Sequence, residues 1–251
     1  MRPIIRGDIP TENAIPITFA HYGKALPHLV RRIGLYCSYC GKRIENSPAI
    51  EHICPKSVDP SLELDWNNFL LACKNCNSIK HVHPDNINES KKDYFWPDED
   101  DTFNIFTYEY SGKINVKNSI PPEIKEKAKK TLELTGLNRY DRGDEIPLKR
   151  REAWGVATES LSDLKKCETE EMKRQIIRTA VSRGYWSVWM TVFRNENNIL
   201  KSLIDLFPGT NTKYFSYIYQ DNLLSKTENS EKLINLANRF QIPNEQSSFH
   251  E

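Results

Sequence analysis

Glu51 and His52 stand side by side in the run "AIEHICPKS", Ala49 to Ser57, between the apolar Ile50 and Ile53. A carboxylate is a hard oxygen ligand suited to Mg2+ or Mn2+. An imidazole can take a proton near neutral pH. A base that activates water and a cation that stabilises developing negative charge are what phosphodiester hydrolysis needs. Neighbours on a strand point to opposite faces, so this pair can serve one centre only where the strand ends in a sharp turn. Pro55 permits that turn, since proline cannot donate to a ladder.

Four of the six cysteines, Cys37, Cys40, Cys73 and Cys76, form a C-x2-C…C-x2-C pattern. The two-residue gap lets both thiolates of a knuckle point at one ion, and two knuckles complete a closed tetrahedral Zn2+ site. Gly41 follows the first pair, where a turn of positive φ is useful. Thirty-two residues separate Cys40 from Cys73, more than a simple ribbon needs, so the metal clamps an insert that carries the Glu-His pair. Cys54 and Cys167 lack metal-ligand spacing and read as small buried apolar residues.

The elements that must position these groups follow from the local pattern. Ala49–Ile53 reads as a strand, "KSVDPSLELDW" as a loop, and Phe69–Ala72 as a second strand. The second knuckle, "CKNC", leads into a short helix, "NSIKHVH", stopped by Pro84. The order is knuckle, strand, long loop, strand, knuckle, helix.

With "CSYC", "EHICP" and "NNFLLACKNCNSIK" in that order, the stretch from about Leu35 to His83 resembles the HNH endonucleases. The resemblance implies a ββα-metal core in which Glu51 ligates a catalytic Mg2+ or Mn2+ and His52 is the general base. It implies that Asn77 is a second ligand and that Asn68 pins the loop and orients His52. Asn67 is the alternative if the register slips by one. His81 shares a helix face with Asn77 and is a candidate third ligand, against the plain reading of a polar helix end. Lys56 and Lys80 are candidate phosphate contacts, against that of solvated lysines.

The rest of the chain places this core in an α+β protein. Residues 1–95 hold an N-terminal segment and the core, 96–120 a β-hairpin with a Ser-Gly turn, and 121–251 a mainly helical half. In "PPEIKEKAKKTLELTGLNR" Pro122 suits a first helical turn, Ile124, Ala128, Leu132 and Leu134 form an inward face, and Gly136 ends the helix. Residues 147–167, 168–196 and 229–240 read as further helical stretches. The spacing of Trp186, Trp189, Met190 and Phe193 favours core packing over a base-stacking platform. An aromatic face around Trp186 and Trp189 and a basic face through Arg174 and Arg178 leave one to pack inward and the other for a partner or substrate.

With 251 residues, 38% hydrophobic and 27% charged, and a formal net charge of +1, composition is that of a globular protein and does not by itself argue for nucleic acid. Nothing approaches eighteen consecutive apolar residues, and "MRPIIRGDIPTENAIP" lacks a secretory pattern. A cytoplasmic protein without membrane contact is the expectation. Cations cluster in residues 1–43 and 165–194, which could form a phosphate-facing surface or an ordinary solvated one. The acidic run Asp98–Asp101 opposes them.

The opening "MRPIIRGDIP", the central core and "AKKTLELTGLNRYDR" after a hairpin look like the PtuB-type effector nucleases of Septu and retron-linked anti-phage systems. That resemblance implies a nucleic-acid substrate, an ATPase partner of the PtuA kind that restrains the nuclease, and an association with a retron reverse transcriptase and its msDNA. The alternatives are a standalone restriction or homing-type nuclease, and a zinc-stabilised nucleic-acid-binding protein whose core is inactive. Retention of Glu51, His52 and Asn77 speaks against the last.

Overall fold

A computed structural model describes residues 1–81, 91–139 and 146–220, excepting the side chains of His81 and Gln220. The expected helix at 229–240 lies outside these residues. The chain order is β1 (Thr11–Glu12), β2 (Ile15–Pro16), α1 (Leu26–Ile33), β3 (Ala49–His52), β4 (Phe69–Ala72), α2 (Lys74–His81), β5 (Phe106–Tyr108), β6 (Ile114–Val116), α3 (Pro122–Thr135), α4 (Ile146–Lys166), α5 (Glu170–Arg183), α6 (Trp186–Val192), α7 (Asn197–Leu206) and α8 (Ser216–Gln220). The architecture is α+β, and its C-terminal half is largely helical.

The central hairpin pairs β3 with β4 antiparallel, with Glu51 opposite Leu70 and His52 opposite Phe69. Its residues are buried except Ala49, which is half-buried, so the ribbon is held by packing on both faces as well as by its ladder. One more rung, Ile53 N to Asn68 O at 2.9 Å, carries the pairing past His52. Pro55 then stops it. The first cysteine knuckle hangs on this hairpin through Ser38 N to Leu71 O at 2.8 Å. Helix α2 begins inside the second knuckle, at Lys74, earlier than the expected start.

Helix α3 covers the expected segment and ends at Gly136, which adopts the left-handed conformation at φ 59°. Its fully buried face is Ala128, Thr131, Leu134 and Thr135, while Ile124 and Leu132 are partly buried. The threonines reach the interior because each hydroxyl returns a hydrogen bond to the carbonyl four residues earlier. The expected single helical stretch at 168–196 is broken at Gly184 (φ +77°) and Tyr185 (φ +55°) into α5 and α6.

That break meets the first knuckle. Tyr185 N donates to Gly41 O at 2.6 Å, and Lys42 bridges Gly184. A side-chain carbon on Gly184 would stand 2.6 Å from Arg43 N and from Gly41 O, so only glycine allows the approach. Trp186, Trp189, Met190 and Phe193 are buried in a core shared with α4, α5 and α7. The aromatic face is therefore the packed one, and Arg178 of the basic face stays exposed.

Four sequence expectations change with burial. Arg2 is buried and donates to the carbonyls of Ile33, Phe207 and Pro208 and to the Thr210 hydroxyl. Arg6 is buried, ion-paired with Asp98 at 3.0 Å, and donates to the carbonyls of Phe69 and Asn67. These two cations are internal braces, so the N-terminal basic cluster does not form one phosphate-facing surface. The acidic run is likewise structural: Asp98 takes Arg6, Asp100 accepts from Trp96 N, and Asp101 accepts from Asn104. Cys54 is half-buried and Cys167 exposed, so neither is the buried apolar residue expected.

Candidate active site and metal centre

The four knuckle cysteines converge. Their sulfurs all lie within 4.8 Å of one another and all four residues are buried. Cys40 and Cys73 Sγ stand 3.9 Å apart, against about 3.8 Å for a regular tetrahedron with zinc–sulfur bonds of about 2.3 Å. Hydrogen bonds from Cys37, Cys40 and Cys76 converge on Cys73 and hold its thiol well below the ordinary range. Contacts led by Cys37 push Cys40 and Cys76 well above it. Thiols this crowded resist further ionisation unless a cation compensates them, and four sulfur donors suit Zn2+. Among the described residues this is the only cluster of three or more metal-ligating side chains at such spacing.

Glu51 points into the interior and is only 1% exposed. Its Oε1 accepts from Tyr39 Oη at 3.3 Å and pairs with Lys80 Nζ at 2.6 Å. Tyr39 sits between Cys37 and Cys40, so the knuckle that gathers the sulfurs also carries a hydroxyl to Glu51. Burial, and then the charge of Glu51, push the Tyr39 hydroxyl well above its usual range, which keeps it a donor. Sequence reasoning passed over Tyr39, although its place inside "CSYC" was the available signal.

Lys80 is placed differently from the expected phosphate contact. It is 2% exposed, donates to His52 O at 2.5 Å, and lies 5.7 Å from the Trp96 ring centre. A single ammonium thus ties the Glu51 carboxylate to the end of β3. Lys56, in contrast, is exposed, pairs with Glu63 at 3.0 Å and stands 5.0 Å over the Tyr22 ring.

His52 occupies the opposite side of the strand. Its ring meets Phe69 edge-on at 5.3 Å and Tyr22 at 5.0 Å. Its Nε2 lies 2.9 Å from Glu63 O. A carbonyl oxygen can only accept, so Nε2 is the nitrogen that donates, and in the neutral ring the free lone pair is on Nδ1. Glu63 belongs to the loop between the strands, and Asn68 fixes that loop. Asn68 Oδ1 accepts from Cys54 N at 2.7 Å, and its Nδ2 donates to Cys54 O at 2.9 Å and Leu62 O at 3.1 Å. Asn68 is buried and Asn67 exposed, so the register in which Asn68 faces the loop is the one present. A backbone carbonyl such as that of Glu63 leaves no mark in a sequence.

Five buried side-chain oxygens lack a hydrogen-bond partner among the described residues: Glu51 Oε2 and Asn77 Oδ1 of the expected metal ligands, together with Ser38 Oγ and both carboxylate oxygens of Asp98, which Arg6 neutralises as an ion pair. Buried acceptors are nearly always satisfied. A carboxylate oxygen and an amide oxygen are donor types that a hard divalent cation takes, so in chemistry these two side chains suit the catalytic ion expected here. The side chain of His81, at the end of α2, lies outside the described residues.

Comparison with known proteins covers part of the chain. Residues 37–83 match the model of the HNH endonuclease family, described as "HNH endonuclease". The chain is also 31% identical over 113 residues to the Septu protein PtuB of Bacillus thuringiensis, a match spanning 42% of this chain and 38% of that protein. No helix among the described residues is long and apolar enough to cross a membrane. Residues 37–83, which carry the cysteine quartet, are thus similar to the HNH endonucleases.

Proposed function

We propose that this protein is a metal-dependent HNH endonuclease that hydrolyses phosphodiester bonds, with Zn2+ held structurally by Cys37, Cys40, Cys73 and Cys76. The observation that carries the reading is the 2.9 Å contact with Glu63 O made by Nε2 of His52, next in sequence to a buried carboxylate with one unpartnered oxygen. His52 Nδ1 is the atom that would take a proton from water, while the Nε2 bond to Glu63 O stabilises the imidazolium that results. Asn68 is a positioning residue, since it acts through the loop that carries Glu63. Glu51 and Asn77 would hold Mg2+ or Mn2+, which when bound stabilises charge on the phosphate oxygens and leaving group. Tyr39 and Lys80 orient Glu51 through Oε1 and leave Oε2 for that ion.

The likeness to PtuB supports a finer reading, that the chain is the effector of an anti-phage system. A complete core would endanger its own cell, which is the reason for restraint by an ATPase partner docked on the exposed basic side of α5. The test has two stages. Purified protein is incubated with plasmid DNA and with total tRNA in Mg2+, beside His52→Ala and Glu51→Gln. Cleavage by the wild type alone supports the nuclease, and equal cleavage by all three removes it. The chain is then expressed with and without its genomic neighbour. Toxicity only in the neighbour's absence supports restraint, whereas a harmless chain that cuts fully in vitro favours a standalone nuclease.

A further inference from the structure

We propose that Arg150 is the counter-charge of the cysteine metal centre: the helical half sends one buried guanidinium to offset the negative charge that Zn2+ leaves on four thiolates. The proposal rests on the zinc reading of Cys37, Cys40, Cys73 and Cys76 and does not depend on the nuclease reading.

Arg150 stands on α4, outside residues 37–83, and is 2% exposed. One terminal nitrogen donates to Gly112 O, in the turn between β5 and β6. The other donates to Leu137 O, just past α3, at 3.2 Å. These bonds hold the fork in place but bring no negative charge. Buried charges are ordinarily paired or engaged with a metal centre. Arg6 meets Asp98 and Lys80 meets Glu51 in that way. Arg2 has no carboxylate, but it has four acceptors and lies over the rings of Tyr36 and Phe207. The ionisable groups that bear most on Arg150 are Cys40, Tyr108, Tyr185 and Cys76, and none is a carboxylate.

The geometry narrows the partner further. Arg150 lines one cavity together with Tyr39, Cys40, Tyr108 and Tyr185. Tyr185 also donates its backbone N–H to Gly41 O, which holds the first knuckle against that cavity. Burial raises the Tyr108 and Tyr185 hydroxyls far above neutrality, so both stay uncharged. The sulfurs are the anions that remain. Burial pulls Arg150 below the ordinary arginine range, and Cys40 heads the groups that oppose this. Zn2+ neutralises only half of the charge on four thiolates, and attraction between opposite charges is stronger in the interior than in water. Thiolates and guanidinium therefore offset each other's burial. Groups placed outside the ligand shell tune a metal in this manner, and their loss typically costs about 10–100-fold in affinity.

The test uses the full chain and competition for Zn2+ with a colour-forming chelator. Wild type is compared with Arg150→Met and Arg150→Gln, which remove the charge, and with Arg150→Lys, which keeps the charge without the fork. Zinc affinity should fall by about 10–100-fold in the two neutral variants and stay closer to wild type in Arg150→Lys. Co2+ in place of Zn2+ gives a readout that lost packing alone does not move. With the positive charge gone, the sulfur electrons are held less tightly. The sulfur-to-cobalt charge-transfer band should then shift to longer wavelength in the neutral variants only. Folding of Arg150→Lys with zinc, where both neutral variants fail to fold, supports the proposal equally. An unmoved band with affinity equal to wild type, equal losses in Arg150→Lys and Arg150→Met, or failure of all three variants to fold overturns it, because charge is then not what the centre requires. A folded wild-type chain that holds no Zn2+ overturns the zinc reading and the proposal with it.

Discussion

Asn68 offers a measurable link between a loop and the candidate base. Asn68→Ala removes three hydrogen bonds, those to Cys54 N, Cys54 O and Leu62 O. At about 1 kcal/mol net for each, the cost is about 3 kcal/mol. For a chain of this length each kcal/mol shifts the melting temperature by roughly 2–4 °C, so the variant should melt roughly 6–12 °C lower. Asn68→Asp is the sharper change. It keeps the acceptor for Cys54 N but turns an oxygen towards two carbonyls, and should cost at least about 2 kcal/mol for the two donated bonds. In both variants the loop is free to carry Glu63 O away from His52 Nε2. The proton is then free to settle on either ring nitrogen, and a misplaced base costs on the order of 10²-fold in rate. Asn67→Ala, one residue away and exposed, is the control and should behave as wild type. Differential scanning fluorimetry and a plasmid-nicking assay read the two effects. If Asn68→Ala melts within about 2 °C of wild type, the shift of less than 1 kcal/mol, the loop is not pinned by this side chain and the reasoning fails.

His52→Ala should lower cleavage by about 10²–10⁴-fold with zinc content unchanged by elemental analysis; an unchanged rate removes its role as base. Cys40→Ser should lose the metal and with it the folded core, because site formation and folding are coupled, and folded protein with no bound zinc would contradict this. Gly184→Ala should destabilise by about 2–4 kcal/mol, combining a left-handed φ with an overlap against Gly41 O and Arg43 N; a chemical-denaturation midpoint equal to wild type would show that the knuckle tolerates displacement. Asn77→Ala should weaken Mg2+-supported cleavage and recover in part in excess Mn2+, while His52→Ala should not recover.

The parts of the site legible in the sequence were those whose chemistry is bound to spacing. Two C-x2-C pairs must meet if they bind one ion, and Pro55 after a β-branched run must end a strand. What stayed hidden depends on where a side chain is sent by distant packing. Lys80 is polar on a polar helix, and only its neighbours Glu51 and Trp96 show that it is interior. Arg2 and Arg6 looked like surface charge, yet each finds enough carbonyls to be buried. The division of 168–196 into two helices turns on a Gly-Tyr step that propensity alone rates as a weak interruption. The demand that breaks the helix comes from the knuckle packed against it.

That contact bears on how freely the segment similar to the HNH endonucleases could be moved between proteins. Its knuckle turn accepts a hydrogen bond from Tyr185, its strand β4 is braced by Arg6, and Ile79 of α2 comes within 2.6 Å of where any side-chain carbon at Gly136 would stand. Three surfaces of the segment are thus shaped to partners that lie before and after it in the chain. A graft of residues 37–83 onto another scaffold would carry the ligands but not these walls. Recombination should succeed only where breakpoints fall outside the N-terminal arm and beyond α6, so that the segment is inherited together with its mould.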